Sequence, residues 1–421
     1  MPPLAPAGVT PKPQTSWLPV PTLPDDVRRR LAGGGSLESR WVWIGLAAAT
    51  VLCAAALLWW GQRHPRHGWH AARRRIGGGL LVAALGVTSG AAAVNSYVGY
   101  FPSVSSLYAY VNGDGIAAPG VTPVLGSRIL TASIEAPRLG VRPGKLYVYL
   151  PPRYADPRER DRRYPVVYLL PGYPGRSADW FTAGEARSTM DLLIRRGLVP
   201  PMILVSADES AGRGLYDSEC LDAVDGPDVD RFLTGTVVSY VDSHFRTVRD
   251  RRARAVGGMS SGGFCALNLG LRHTGEYSVI GGLEPFGDPG RTGYAHLAWR
   301  RSLMVANTPA EYIPTMRFGH RMAVLLDAPQ DDGSGLDAAR YLAAELVRRG
   351  QQVALRVEPD QSHTWRAARA ALPYLLIFAA THFVLGPQWE PRPHCGSGAA
   401  AGCSPVRTGT RTPTRHRPRS A

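Results

Sequence analysis

Lysine is almost absent from this chain of 421 residues, since Lys12 and Lys145 are the only two lysines among its 48 basic residues. The chain is also rich in alanine, glycine and proline, a bias that the codons of a GC-rich genome favour. The arginine excess therefore does not by itself indicate a nucleic-acid-binding surface. No repeat of 20–50 residues is present, which excludes solenoids and propellers. At 44% hydrophobic residues, the composition also excludes wholesale disorder.

Acidic residues are fewer than basic ones, 33 against 48, and the resulting charge of +15 is unevenly placed. Residues 1–75 carry ten basic and three acidic side chains, and residues 387–421 carry six arginines and one glutamate. The residues between them are nearly neutral, so no nucleic-acid partner is expected for the folded part. Residues 1–40, which are proline-rich, are predicted to form a disordered leader, and residues 387–421 a disordered basic tail.

Charge is missing altogether from the twenty residues between Trp41 and Trp60. As a helix they would span about 30 Å, the thickness of a bilayer core, with tryptophans at both interfaces. This segment, residues 41–60, is predicted to be a first transmembrane helix. The alternative is a buried helix of a soluble core, but such helices usually keep a polar face.

A second uncharged stretch covers residues 76–94 and is predicted to be another transmembrane helix. Its Gly86-x-x-x-Gly90 spacing would allow close approach of a neighbouring helix. The alternative is a re-entrant or cleaved segment, because Ala91 and Ala93 have the spacing of a signal-peptidase site. The stretch lies too far from the N-terminus for an ordinary secretory signal.

The intervening loop, residues 61–75, contains five arginines and no acid. Short basic loops remain cytoplasmic, so both the N-terminus and everything after residue 95 are expected outside. The sequence thus predicts a multi-pass cell-membrane protein with an extracytoplasmic C-terminal part. Such a location allows a disulfide between Cys220 and Cys265, the alternative being two unrelated buried thiols.

After a linker at residues 95–126, short β-rich runs alternate with helical stretches over residues 127–386. The predicted strands are residues 128–134, 145–150, 166–170, 202–206, 254–258, 279–282, 322–326 and 353–357. This alternation predicts an α/β domain with a mostly parallel sheet covered by helices. In such sheets the functional residues lie on loops at the carboxyl ends of the strands.

One of these strands ends in Gly258-Met-Ser260-Ser-Gly262, and a helical stretch follows directly. G-x-S-x-G between a strand and a helix is typical of the nucleophile elbow, a strained turn that exposes a serine hydroxyl. Ser260 is therefore the predicted nucleophile. Its neighbour Ser261 would break the spacing and is better used through its backbone N–H.

Enzymes with this elbow supply their partners in the chain order serine, acid, histidine. His363, on the loop after the last predicted strand, is the predicted general base. The other candidates are within helices or before strands and are expected to be surface or packing residues: His273, His296, His320 and His382.

The acid should follow the preceding strand, where the sequence offers three aspartates. Asp327 is expected to lie still at the strand end. Asp331 is favoured as the triad acid and Asp332 is the alternative, because both lie on a loop suited to turning a carboxylate toward His363. Glu284, after an earlier strand, is a remote further alternative.

Acyl transfer also needs donors for the oxyanion. The backbone N–H of Ser261 is one candidate. The backbone N–H of Tyr173 is the other, because Gly172 lets the chain turn after the strand at 166–170. An ordinary turn at this position is the alternative.

Four segments together resemble the esterase family of α/β-hydrolases that includes esterase D and the mycolyltransferases of the antigen 85 complex. They are YVYLPPRY (147–154), YPVVYLLPGYPG (164–175), VGGMSSGGFCALNLGLRH (256–273) and SHTWRAARAALPYL (362–375). The resemblance implies an α/β-hydrolase fold, a Ser-acid-His triad, and no metal or organic cofactor. Its exported members also support pairing Cys220 with Cys265. Two departures are Pro171, where many esterases have histidine, and the lack of a Gly-x-x-Asp pattern at the acid loop.

The expected function is that of a membrane-anchored, extracytoplasmic serine esterase or acyltransferase that works through an acyl-enzyme. Its partner would be an ester substrate, and anchoring beside a bilayer makes lipid and glycolipid esters the candidates. The alternative is a non-catalytic cell-envelope binding protein on the same fold. A missing nucleophile would favour that alternative, whereas here all three triad positions can be filled.

Overall fold

The computed structural model describes residues 17–32, 34–63, 68–112 and 126–384, and the tail predicted at 387–421 lies outside them. Within these ranges eight strands form a single sheet in the order β1-β2-β4-β3-β5-β6-β7-β8. They are β1 (Arg128–Ala136), β2 (Val141–Leu150), β3 (Val166–Leu170), β4 (Ile203–Ser206), β5 (Arg254–Met259), β6 (Val279–Leu283), β7 (Ala323–Pro329) and β8 (Gln352–Glu358). β2 runs antiparallel to both β1 and β4, and all other neighbours are parallel. The predicted mostly parallel sheet is therefore confirmed.

Fourteen helices are present in the described part of the chain. They are α1 (Asp25–Ala32), α2 (Arg40–Arg63), α3 (Trp69–Val98), α4 (Val104–Val111), α5 (Asp179–Thr182), α6 (Ala186–Arg195), α7 (Val229–Arg231), α8 (Val238–His244), α9 (Ser261–Arg272), α10 (Gly290–His296), α11 (Arg301–Ala306), α12 (Pro309–Tyr312), α13 (Gly333–Arg348) and α14 (Trp365–His382). A π-helical segment, Phe232–Val237, joins α7 to α8. The short helices α10 to α12 between β6 and β7 were not predicted from the sequence.

The middle strands are buried on both faces, as their apolar sequences predict. Every residue of β3 and β5 is buried, which fits a parallel sheet covered on both sides. In register, Tyr168 of β3 lies between Val205 of β4 and Val256 of β5. Because β3 and β5 to β8 run in the same direction, the loops after them lie together at the carboxyl ends of the strands.

The region predicted as a disordered leader folds, in its described part, against the α/β domain. Trp17 forms a parallel bridge with Val353, and the N–H of Leu18 donates to the Val353 carbonyl over 2.7 Å. Asp26 of α1 forms an ion pair with Arg196. The prediction of disorder is wrong for these residues, because the open edge of β8 gives their backbone hydrogen-bonding partners that composition does not reveal.

α2 and α3 are both long and apolar enough to cross a membrane, and their predicted cores at 41–60 and 76–94 lie within them. α3 already begins at Trp69, so the last three arginines of the predicted loop at 61–75 are helical. The Ser89 hydroxyl donates to the Trp43 carbonyl over 3.0 Å, which joins the two helices as an antiparallel pair. Gly86 faces Thr50 across this contact, whereas no atom of the described residues lies within 4 Å of the place where a Gly90 side chain would begin.

A buried junction connects this helical pair to the α/β domain. Arg369 of α14 pairs with the buried Glu38, which lies in the turn before α2, and donates to the Gly99 carbonyl after α3 over 3.1 Å. The Asn95 amide bonds the backbone of Leu37 and Phe101. The segments flanking the helical pair thus both contact α14, the helix that follows His363. Part of the predicted linker, residues 95–126, is helical as α4.

Candidate active site

Ser260 occupies the sharp turn between β5 and α9 that its sequence predicts. Its backbone has φ 57° and ψ −122°, a conformation that non-glycine residues rarely adopt. Its N–H donates to the Leu283 carbonyl and its carbonyl accepts from the Phe264 N–H, both over 2.9 Å. These bonds to β6 and to the first turn of α9 hold the strained backbone in place.

Small residues around Ser260 are required by the space available. A Cβ on Gly262 would lie 2.1 Å from the Pro171 carbonyl oxygen and 2.2 Å from that of Leu170. A Cβ on Gly172 would lie 3.1 Å from the Ser260 Cβ. The loop after β3 therefore passes directly beside the serine, where the sequence analysis expects an oxyanion donor.

The two predicted oxyanion donors occupy suitable chain positions. Ser261 is the first residue of α9, so its N–H is one of the helix donors without an intrahelical partner. Tyr173 follows Gly172, and its side-chain hydroxyl donates to the Leu215 carbonyl over 3.1 Å. That contact ties the loop after β3 to the loop after β4. The roles of both N–H groups in catalysis remain predictions.

His363 lies on the loop between β8 and α14 and is paired with Asp332 through its Nδ1. The Nδ1 to Oδ2 distance is 2.8 Å, and Asp332 immediately precedes α13. Asp331, the favoured candidate, is exposed and makes a different contact, in which its backbone N–H donates to the Gln361 carbonyl over 3.0 Å. The structure thus brings the alternative acid, Asp332, to the histidine, because this backbone bond and the start of α13 set which side chain of the loop faces it.

The other ring nitrogen of His363 faces Glu284 at the end of β6. The Nε2 to Oε2 distance is 3.4 Å, whereas Ser260 makes no hydrogen bond to His363 in the described residues. Glu284 is 1% exposed and has φ 54°. Burial, followed by the nearby carboxylates of Asp327 and Asp332, raises the pKa of Glu284 well above its usual range. The residue regarded as a remote alternative therefore lies beside the predicted general base.

A disulfide joins Cys220 to Cys265, on the loop after β4 and on α9. Beside it, the buried carboxyl of Glu219 accepts a 3.2 Å hydrogen bond from the Ser261 hydroxyl. Burial and the neighbouring Asp217 raise the pKa of Glu219 to about 8. Glu219 was not predicted from the sequence, although it lies next to Cys220, which was predicted to pair with Cys265.

A set of three potential metal ligands within the described residues, Glu209, Cys220 and Cys265, coincides with this disulfide. Because the two sulfurs are bonded to each other, they are not thiolates that could hold an ion.

Three of the four histidines that compete with His363 in the sequence have one ring nitrogen engaged by another group. His273 pairs with Asp230, His296 with the Asp217 carbonyl, and His382 with the Phe378 carbonyl.

Comparison with known protein families gives a match to a model described as "Putative esterase", over residues 139–369. The chain is 31% identical over 200 residues to Esterase Rv1288 of Mycobacterium tuberculosis, covering 41% of each protein. It is 30% identical over 167 residues to an uncharacterised protein of Corynebacterium glutamicum, covering 37% of each. The chain thus matches about two fifths of the length of these relatives.

Solved structures similar to this chain include a ferulic acid esterase, with a TM-score of 0.55 and 23% identity, covering 62% of this chain and all of that one. An S-formylglutathione hydrolase from Agrobacterium tumefaciens has a TM-score of 0.52 and 18% identity, covering 62% of this chain and 97% of the other. At these identities the likeness concerns the fold. It is the α/β-hydrolase fold that the sequence analysis predicts.

Proposed function

Since the chain belongs to this esterase family, we propose that it is a serine esterase whose acyl-enzyme forms on Ser260. His363 would be the general base, Asp332 the triad acid, and the backbone N–H groups of Tyr173 and Ser261 the oxyanion donors. The observation that carries the proposal is the strained elbow at Ser260, on the same sheet edge as the His363–Asp332 pair. Most of the relatives' length is unmatched, so their activities serve only as guidance.

The chemistry follows from these positions. Ser260 Oγ attacks the ester carbonyl while His363 Nε2 takes its proton, and Asp332 accepts the Nδ1–H and stabilises the imidazolium. The negative oxygen of the tetrahedral intermediate is held by the two backbone N–H groups. His363 then returns the proton to the leaving alcohol, which leaves the acyl group on Ser260. Water completes hydrolysis, whereas a sugar hydroxyl in its place would complete acyl transfer.

We further propose that α2 and α3 anchor the enzyme in the cell membrane, with the active site outside the cytoplasm and lipid or glycolipid esters as substrates. Their surfaces are apolar and exposed, and the junction of Glu38 and Arg369 ties both helix ends to the domain. α4, directly after them, also exposes an apolar stripe formed by Val104, Leu107, Tyr108 and Val111. This spacing makes one face of a helix, as expected beside a bilayer surface.

A fluorophosphonate probe is expected to label the full-length protein in detergent, and Ser260→Ala is expected to abolish the labelling because the probe needs the activated hydroxyl. Ser261→Ala is the matched control, since that residue contributes its backbone N–H and should still permit labelling. Labelling that persists in Ser260→Ala, or an unlabelled wild type, would refute the serine-esterase proposal. Short-chain esters offered with and without a sugar acceptor then separate hydrolysis from transfer.

For the membrane orientation, we expect alkaline phosphatase fused after residue 384 to be active in intact bacterial cells. This enzyme requires an oxidising, extracytoplasmic location to form its disulfides. The matched control is a fusion after residue 75, which should be inactive because it ends in the Arg-rich loop that is expected inside. The reverse pattern would contradict the orientation, and two soluble fusions would contradict the anchor.

A further inference from the structure

Glu284 occupies a position that the triad mechanism does not use. It follows β6 directly, and the carbonyl of the preceding residue, Leu283, accepts the Ser260 N–H over 2.9 Å. The Glu284 N–H donates to the Asp327 carbonyl over 2.7 Å. Glu284 is therefore held by its backbone between the nucleophile and the acid strand. Its φ of 54° lies in the left-handed region that non-glycine residues rarely adopt.

The Glu284 carboxyl group is both buried and poorly satisfied. Neither of its oxygens has a hydrogen bond of ordinary geometry in the described part of the chain. Two polar groups lie close to it, the Thr364 N–H and His363, whose Nε2 lies 3.4 Å from Oε2. A carboxylate without partners is expensive to bury, so such a group either takes up a proton or pairs with a cation. The His363 imidazole can satisfy either form of Glu284. As a neutral ring it can accept a hydrogen bond from the protonated carboxyl, and as an imidazolium it can pair with the carboxylate.

The other charged groups around Glu284 favour a proton shared between Glu284 and His363. Asp327 of β7 and Asp332 before α13 both oppose a negative charge on Glu284. The Arg356 guanidinium of β8 is engaged by Asp327, at 2.6 Å. From the start of α14, the Thr364 N–H favours the ionised form, but burial outweighs it. The Phe286 ring lies parallel to the imidazole, with ring centres 6.5 Å apart, and adds no charge.

We propose, on the basis of the serine-esterase function above, that Glu284 is a positioning residue that shares one proton with His363 Nε2 and competes with Ser260 for that nitrogen. In one arrangement the carboxylic acid donates to a neutral imidazole. In the other, the proton has moved and a carboxylate accepts from an imidazolium. Both hold the same number of protons, and in both Nε2 is occupied. Meanwhile Asp332 keeps its bond to Nδ1 in either arrangement.

His363 can act as the general base once Glu284 and His363 together have lost this shared proton to solvent. The ionised carboxylate then repels the lone pair of Nε2, and the ring can turn its Nε2 toward Ser260. The pair titrates as a unit, so the pH at which the enzyme becomes active belongs to the pair rather than to the histidine alone. Removing Glu284 removes the group that competes with Ser260 for Nε2, so the enzyme is expected to become active at a lower pH.

The test is the pH dependence of the rate at which a fluorophosphonate labels Ser260 in the full-length protein. We expect Glu284→Leu, which can neither donate nor accept, to move the acid limb of this profile about one unit to lower pH. One unit below the wild-type midpoint, the variant would then label roughly five times faster. Glu345→Leu is the matched control: Glu345 is another buried glutamate, paired with Arg348, thirteen residues along α13 from Asp332, roughly 20 Å away. Its profile should match that of the wild type.

An acid limb of Glu284→Leu that coincides with those of the wild type and the control would overturn the proposal. A purely structural role for Glu284 would change the melting temperature without moving the limb. If the leucine variant does not fold, Glu284→Gln applies the same test, because its isosteric amide carries no titrating proton. A wild type that is unlabelled at every pH would instead refute the proposed function, so the two failures are distinguishable.

Discussion

Asp332→Asn is expected to lower kcat for a soluble ester by about 10⁴-fold, with little change in protein stability. An asparagine keeps the shape of the side chain, but its amide can donate to His363 Nδ1 and so favours the tautomer whose Nε2 carries the proton. That nitrogen could then no longer accept the Ser260 proton. The 2.8 Å bond between Nδ1 and Asp332 Oδ2 is the observation on which this expectation depends. Steady-state hydrolysis of a p-nitrophenyl ester by the wild type and the variant measures this change in kcat.

Asp331→Asn is the matched control, because it changes the neighbouring aspartate in the same way. The Asp331 contact to Gln361 is made by its backbone and survives the substitution. Surface substitutions usually change stability by no more than about 0.5 kcal/mol, so we expect kcat to stay within about twofold of the wild type. The opposite pattern, with Asp331→Asn inactive and Asp332→Asn active, would restore the acid that the sequence analysis favours. Loss of activity in both variants would show that the loop as a whole, rather than one carboxylate, supports His363.

Removal of the disulfide by Cys220→Ser with Cys265→Ser should lower the free energy of unfolding by about 4 kcal/mol. The bond closes a loop with a sequence separation of 45, and the chain-entropy relation gives that magnitude for such a loop. The loss should also disturb Ser261, since Glu219, beside Cys220, accepts its hydroxyl hydrogen bond. Urea unfolding followed by tryptophan fluorescence, in detergent, measures the stability.

Cys53→Ser provides the control for this substitution, because Cys53 in α2 is a free thiol. It should leave both the urea midpoint and the fluorophosphonate labelling unchanged. A double variant as stable as the wild type would contradict the entropic argument. A variant that is less stable but labels at the normal rate would show that the link to Ser261 has no consequence for the nucleophile.

Local sequence determined most of the fold of the α/β domain. Each buried strand is a short apolar run followed by a turn, so β3 and β5 could be located from their own residues. The elbow at Ser260 was equally local, because a strained turn between strand and helix requires small residues such as Gly262 at fixed positions. Conversely, α4 and the described part of the leader were misjudged. The order of the leader depends on contacts with β8 and α14, and α4 lies against α5 and the loop after β3, all of which are distant in sequence.

The residues of the candidate site also fall into two groups, those that the local sequence predicts and those that only the fold brings together. The sequence alone predicted the elbow at Ser260 and the loop that carries His363, because a motif and a chain order specify their positions. Only the tertiary structure distinguished Asp332 from Asp331, since adjacent residues have the same composition and strand context, and the backbone bond to Gln361 with the start of α13 decides which side chain faces His363. It also brought Glu284 to Nε2, because the ends of β6 and β8 become close only when β7 lies between them in the sheet. The scarcity of lysine, by contrast, had no bearing on the site, whose geometry depends on serine, histidine and carboxyl groups.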